Sequence, residues 1–149
     1  MTSGLRIVKE IASFLRGSGG AVRQDRKIPV TLITGIEFHR QLRGRASEAA
    51  HAVGIDRTDI AWGDFVADHV SVSLEEAYES QKVSDPLSPA GGDETFVTLA
   101  LSRGVAKRLR RGASDDALRD GGIATRSARD DHVLRHMGRC LQASYEAEQ

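Results

Sequence analysis

Five histidines, His39, His51, His69, His132 and His136, and a single cysteine, Cys140, are the side chains best suited to holding a metal or attacking a substrate. His132 and His136 stand one helical turn apart with Asp131 beside them, a spacing that suits a weak surface metal site. No HExxH motif or Cys/His cluster accompanies them, and one cysteine excludes a multi-Cys zinc site or an internal disulfide framework. Cys140 adjoins Leu141 on a face that reads as buried, the setting of a core residue rather than a nucleophile. The stretch 27–35, Lys-Ile-Pro-Val-Thr-Leu-Ile-Thr-Gly, looks like the strand leading into a P-loop. Ile36-Glu37-Phe38-His39 then replaces the required glycines and Gly-Lys-Ser/Thr, so neither a phosphate cradle nor a magnesium ligand follows. No GxSxG signature occurs, and the carboxylates fall mostly on helix surfaces. These residues therefore imply no metal, no cofactor and no catalytic constellation, and the expectation is a protein that is not an enzyme.

The elements that must position side chains in a chain of 149 residues form one compact domain or two small interlocked units. Apolar residues make up 40% and charged residues 28%, the balance of a soluble globular chain rather than a disordered one. No apolar run approaches the ~18 residues that span a membrane. Leu5 to Leu15 is interrupted by Arg6, Lys9 and Glu10, which does not fit a signal peptide, so a cytoplasmic setting with no membrane partner is expected. The seven aromatics argue against a large aromatic ligand pocket. The zero net charge conceals a pattern: residues 1–45 carry +6, 46–102 carry −9, 103–139 carry +5 and the last ten −2. Two basic blocks flank an acidic one, which either puts a positive face on a neutral protein or reflects ordinary solvated helix faces.

The chain also repeats itself. Shifted by 67 residues, 30–79 falls on 97–146 without a gap, and 17 of the 50 positions are identical, where average composition gives roughly three or four. Val30-Thr31-Leu32 meets Val97-Thr98-Leu99; Leu42-Arg43 meets Leu109-Arg110; Gly54, Thr58 and His69 meet Gly121, Thr125 and His136; Tyr78-Glu79 meets Tyr145-Glu146. A shared structural role explains the matched histidines His69 and His136 better than a metal does.

Each unit reads as strand–helix–helix. The β-branched and apolar runs 28–33 and 95–101 are strands. Phe38, Leu42, Ala46, Ala49 and Val53, and then Val105, Leu109, Ala113 and Ala117, recur at helical spacing. Gly54 and Gly121-Gly122 stop these helices, and Thr58 and Thr125 supply capping oxygens for the next ones. The second helices carry Ile60, Val66, Val70, Leu74 and Ala77, and Val133, Met137, Leu141 and Ser144. The expected organisation is an N-terminal amphipathic helix with a glycine-rich joint over 1–20, a first unit over 21–80, a Ser/Pro/Gly linker over 81–93 and a second unit over 94–149.

A lone strand leaves N–H and C=O groups unpaired on both edges, and a unit of ~50 residues buries too little apolar surface to stand alone. Pairing the two strands into an antiparallel ribbon over four helices resolves both problems. The fold expected is mostly α with one two-stranded antiparallel ribbon, a pseudo-dimer within one chain. Alternation puts Val30, Leu32, Val97, Leu99 and Leu101 toward the core, and Pro29, Thr31, Ile33, Phe96, Thr98 and Ala100 outward.

This strand–helix–Gly–Thr-capped-helix pattern resembles the ribbon-helix-helix DNA-binding proteins of the Arc and MetJ type. Its duplication resembles the tandem members, TraY-like relaxosome accessory proteins of conjugative plasmids and an accessory protein of Agrobacterium T-DNA transfer. The resemblance covers about 27–146 and implies a ribbon lying in the major groove of duplex DNA. It puts Pro29, Thr31, Ile33, Phe96, Thr98 and Ala100 against base edges. Only Thr31 and Thr98 among them match the family's usual polar readers. It puts Arg57, Thr58, Thr125 and Arg126, at the starts of the second helices, on phosphates, where N–H groups and the helix dipole favour an anion. Lys27, with Arg23 and Arg26, and Arg103 flank the ribbon within reach of the backbone.

The resemblance implies a DNA-binding accessory protein for conjugative or T-DNA transfer, or a transcriptional repressor. It would act as a monomeric pseudo-dimer or a homodimer, with a relaxase or another transfer or regulatory protein as a further partner. The alternative keeps the fold and gives it mainly a protein partner, suggested by the outward apolar Ile33 and Phe96. Trp62 either covers the core edge or anchors a partner, and Arg108, Arg110 and Arg111 are either solvated or face an acidic partner.

Overall fold

The computed structural model describes residues 26–86, 92–119 and 125–149. The elements run β1 (Lys27–Gly35), α1 (Ile36–Ala52), α2 (Ala61–Gln81), β2 (Glu94–Ser102), α3 (Arg103–Arg119) and α4 (Arg126–Glu148). The architecture is mostly helical with a single two-stranded antiparallel sheet among the described residues, as the sequence leads one to expect. The N-terminal helix expected before residue 20 and the glycine stop at 121–122 lie outside the described residues.

Both strands pass into their helices without an intervening loop. At the first junction Ile36 N–H donates to the Asp93 carbonyl at 2.9 Å, tying the start of α1 to the start of β2. At the second, Ser102 Oγ accepts from Val105 N–H at 3.4 Å, a weak side-chain cap on α3. The strands are longer than the β-branched runs alone indicate, because ladder pairing carries them from Lys27↔Ser102 to Gly35↔Glu94. The register sets Thr31 opposite Thr98, residues 67 apart, which is also the offset of the sequence repeat.

Val30, Leu32, Val97, Leu99 and Leu101 are buried, as alternation requires, on Phe38, Leu42 and Ala46 of α1, Val105, Leu109 and Ala113 of α3, Val66, Val70 and Leu74 of α2, and Met137 and Leu141 of α4. Leu74 and Leu141 match in the repeat and are both fully enclosed. Truncating either to Ala costs about 2–5 kcal/mol.

The second helices do most to lock the ribbon, each against the strand of the other repeat. Ser71 Oγ of α2 accepts from Ala100 N–H of β2 at 3.0 Å. One offset away, α4 meets β1 at Gly138. A side chain there would fall onto the Ile33 carbonyl, so only glycine permits this approach. Glu75 of α2 adds a second tie, accepting from Ser102 N–H at 2.6 Å and pairing with Lys27 Nζ at 2.6 Å.

Gly54 ends α1 as expected. Its φ of +84° suits the position after a helix, and Gly54 N–H and Ile55 N–H close onto the carbonyls of His51 and Ala50 at 3.0 and 2.8 Å. Two helix expectations need correction. Val53 lies beyond α1 and is exposed, with Ala50 taking the buried position near the helix end. Ile60 precedes α2 and is 98% exposed, because the helix starts at Ala61. Among the described residues, no helix is long and apolar enough to cross a membrane.

Candidate nucleic-acid interface

The outer face of the ribbon is built by cross-strand neighbours. Pro29 sits opposite Ala100, Thr31 opposite Thr98 and Ile33 opposite Phe96. Pro29, Thr31, Phe96, Thr98 and Ala100 are exposed, and the hydroxyls of Thr31 and Thr98 hydrogen-bond to each other at 3.0 Å in the middle of the face. Each Thr hydroxyl keeps hydrogen-bonding capacity beyond that shared bond. Their methyls and Ala100 offer the apolar contact that suits a thymine methyl.

Ile33 does not belong to this exposed face. It is only 5% exposed, and Leu32, Ile33 and Thr34 are buried in succession. Gly138 of α4 lies directly against the Ile33 carbonyl and Thr34 at this end of β1, where alternation stops predicting exposure. Phe96, its partner across the ladder, is 64% exposed and is the largest apolar side chain presented by the ribbon.

Charge is distributed unevenly around this neutral face. Arg26, Lys27 and Arg103 gather where Lys27 pairs with Ser102, although Lys27 is engaged by Glu75. The other end carries Asp93, Glu94 and Glu37. Arg135 binds both oxygens of Glu94 at 2.8 and 3.0 Å, and Arg40 pairs with Glu37 at 2.5 Å. The ribbon thus has a basic end and an opposite end whose acids are largely paired with arginines.

The two second-helix starts also differ. Thr125 caps α4 as expected, its Oγ1 accepting from Ala128 N–H at 3.1 Å. The first turn of α4 holds no acid, and Arg126 and Arg129 are exposed there. Thr58, by contrast, does not cap α2. It lies in the turn before the helix, where two aspartates take the local N–H groups: Asp56 Oδ1 accepts from Arg57 N–H at 2.7 Å and Asp59 Oδ1 from Ala61 N–H at 3.2 Å. With Asp64 in the first turn as well, this start is acidic and poorly suited to a phosphate. The Arg57 guanidinium lies over the Trp62 ring at 5.6 Å, and Arg43 approaches the same ring at 5.9 Å. Trp62 itself packs against the core and covers its edge.

Arg108 and Arg45 have structural partners. Arg108 pairs with Glu79 at 2.7 Å and lies over Tyr78. Arg45 of α1 reaches Tyr145 Oη and Gln149 of α4. Cys140 is enclosed. Burial, helped by the nearby Asp85 and Asp116 carboxylates, pushes its thiol up to about 12, so the thiolate that nucleophilic attack needs is suppressed.

Sequence reasoning missed Ser71, Glu75, Gly138 and Asp116. The acid that joins His132 and His136 is Asp116 of α3, not the exposed Asp131. Compared with protein-family models, curated proteins and solved structures, the chain gives no match.

Proposed function

We propose that this chain is a tandem ribbon-helix-helix pseudo-dimer that binds duplex DNA with its ribbon in the major groove. The observation that carries this reading is the pairing of Thr31 with Thr98 at the centre of an exposed two-stranded ribbon. Two copies of one unit related by a two-fold axis must bring an equivalent residue opposite itself. The 67-residue register does so, and Ser71 on Ala100 answers Gly138 on Ile33 across the same axis. A two-stranded ribbon of this kind fits the major groove.

Five exposed readers remain, Pro29, Thr31, Phe96, Thr98 and Ala100. None supplies the bidentate contact that selects guanine or adenine, so sequence choice is modest. Affinity comes from phosphate contacts by Arg103, Arg126 and Arg26, and depends on salt. In this reading the protein serves a transfer or replication complex, or represses a promoter. The test is titration of labelled duplexes at several salt concentrations. Arg126→Ala should weaken all duplexes about equally and lower the salt slope by about 1. Thr31→Ala with Thr98→Ala should blunt preference between duplexes. Absence of binding at low salt overturns the proposal.

A second reading, a scaffold for a protein partner, draws on the uncharged outer face and on Phe96. Burial of Ile33 removes half of the apolar surface that suggested it. Cross-linking that recovers a tight protein partner, with no DNA footprint, would favour this second reading.

A further inference from the structure

At the packed faces of α3 and α4, three donor groups converge from three separate segments. Asp85 comes from the connection between α2 and β2, Asp116 from α3 and His136 from α4. One ligand atom from each lies within 4.8 Å of the others. His136 is buried, and its Nε2 has no hydrogen-bond partner among the described residues. Asp116 Oδ1 is 3.8 Å away, too far for a hydrogen bond.

The other ring nitrogen is occupied. Nδ1 lies 3.5 Å from Cys140 Sγ, and that sulfur is 3.6 Å from the Ser84 carbonyl oxygen. In the tautomer where the thiol proton is shared with the Ser84 carbonyl and Sγ accepts from Nδ1–H, Nε2 carries a lone pair aimed at two carboxylates. An enclosed lone pair facing negative charge is a costly arrangement unless a cation completes it.

We infer that Asp85, Asp116 and His136 form a site for one divalent first-row metal ion, with zinc the best fit. A neutral imidazole and two carboxylates are hard-to-borderline donors of the kind zinc takes, and the donors need to close only modestly to reach bonding distance. His132 supports the set: its Nε2 lies 2.7 Å from Asp116 Oδ2 and fixes the carboxylate with Oδ1 turned to His136. Arg119 also approaches Oδ1, at 3.5 Å, from an exposed side chain able to swing away. An ion here clamps the connection that follows the first repeat onto the helices of the second. Metal binding therefore couples to the seating of Asp85 against α3 and α4.

The test is calorimetric titration of the untagged full chain with ZnCl2, paired with thermal melts in ZnCl2 and in chelator. The expected result is one ion per chain and a higher Tm with zinc. Asp85→Asn, a change at an exposed residue that leaves the core untouched, should remove the stoichiometric binding and the Tm rise together. His136→Gln should do the same, and circular dichroism reports whether it folds. His132→Gln should weaken binding about 10- to 100-fold, as loss of an orienting group does. Co2+ gives an independent readout, its visible absorption present in the parent chain and absent in Asp85→Asn. No stoichiometric binding by the parent chain overturns the inference. So does binding that survives Asp85→Asn and Asp116→Asn but disappears in His51→Gln.

Discussion

Positions 49, 65, 69 and 73 and positions 116, 132, 136 and 140 are the same four places in the repeat, one offset apart. In the first set Ala49 and Phe65 pack with Ala50, Ile55, Trp62 and Val72 as an apolar satellite of the core. His69 stacks near Phe65 at 6.1 Å and meets Ser73 Oγ through Nδ1 at 3.4 Å. In the second set Asp116, His132, His136 and Cys140 occupy those places, and His136 meets Cys140 as His69 meets Ser73. Closing the helix pair therefore does not require polar side chains. The first repeat does it with an aromatic ring and a methyl group. The acid and second histidine of the other repeat must be compensated by their own contacts, and this difference makes the second set the polar counterpart of the apolar satellite.

Phe65→Ala should give the largest effect on this contrast, a loss of about 3–5 kcal/mol in urea denaturation, because it empties the apolar satellite. His132→Ala, its counterpart, is partly exposed and should cost less than about 1 kcal/mol in chelator. Gly138→Ala should cost about 1–3 kcal/mol, since the new methyl must push α4 away from the Ile33 carbonyl. Its counterpart Ser71→Ala loses the bond accepted from Ala100 N–H and the one donated to the Ala67 carbonyl, and should cost about 1–2 kcal/mol. Gly138→Ala without loss of stability would contradict the packing described for Gly138. Converting the second set to the first, Asp116→Ala with His132→Phe, should leave metal-free stability within about 1 kcal/mol of the parent, because exchanging a polar pair for packed apolar groups is often neutral or better.

The smallest effect is in the pH dependence. Burial holds His39, His69 and His136 below the ordinary value of 6.5. Below that pH the unfolded chain binds more protons than the folded one, so stability falls as acid is added. Asp116 and Asp85 oppose this at His136 while His132 and Arg139 add to it, whereas burial alone acts on His69. His69→Gln should therefore remove part of the loss between pH 7 and about 5.5, in equilibrium unfolding with chelator present. Asp116, held low chiefly by its hydrogen bond with His132, contributes above the carboxylate range, and that share is lost only on stronger acidification.

Local pattern made much of this fold legible. Period-two alternation gave both strands and the buried Val30, Leu32, Val97, Leu99 and Leu101. Helical spacing gave Phe38, Leu42 and Ala46 and their counterparts, and Gly54 and Thr125 marked real helix ends. The misses share a cause: a neighbour distant in sequence or a stronger local competitor. Ile33 is covered by a helix that reaches it only because residue 138 is glycine. Thr58 inherits its expected cap from the repeat, but Asp59 takes the Ala61 N–H that this cap would have held, and α2 begins later. The pairing of His132 with His136 is visible at i, i+4. Its acid comes from α3, 16 residues before His132, so the adjacent Asp131 drew attention instead.

Backbone and methyl NMR of the chain titrated with a short duplex at low salt tests the DNA reading most directly. Shift changes should concentrate at Thr31, Phe96, Thr98 and Ala100 and at the start of α4 around Arg126, and should fade as salt is raised. A spectrum that stays unchanged with duplex in excess, or one whose changes avoid the ribbon, would contradict it.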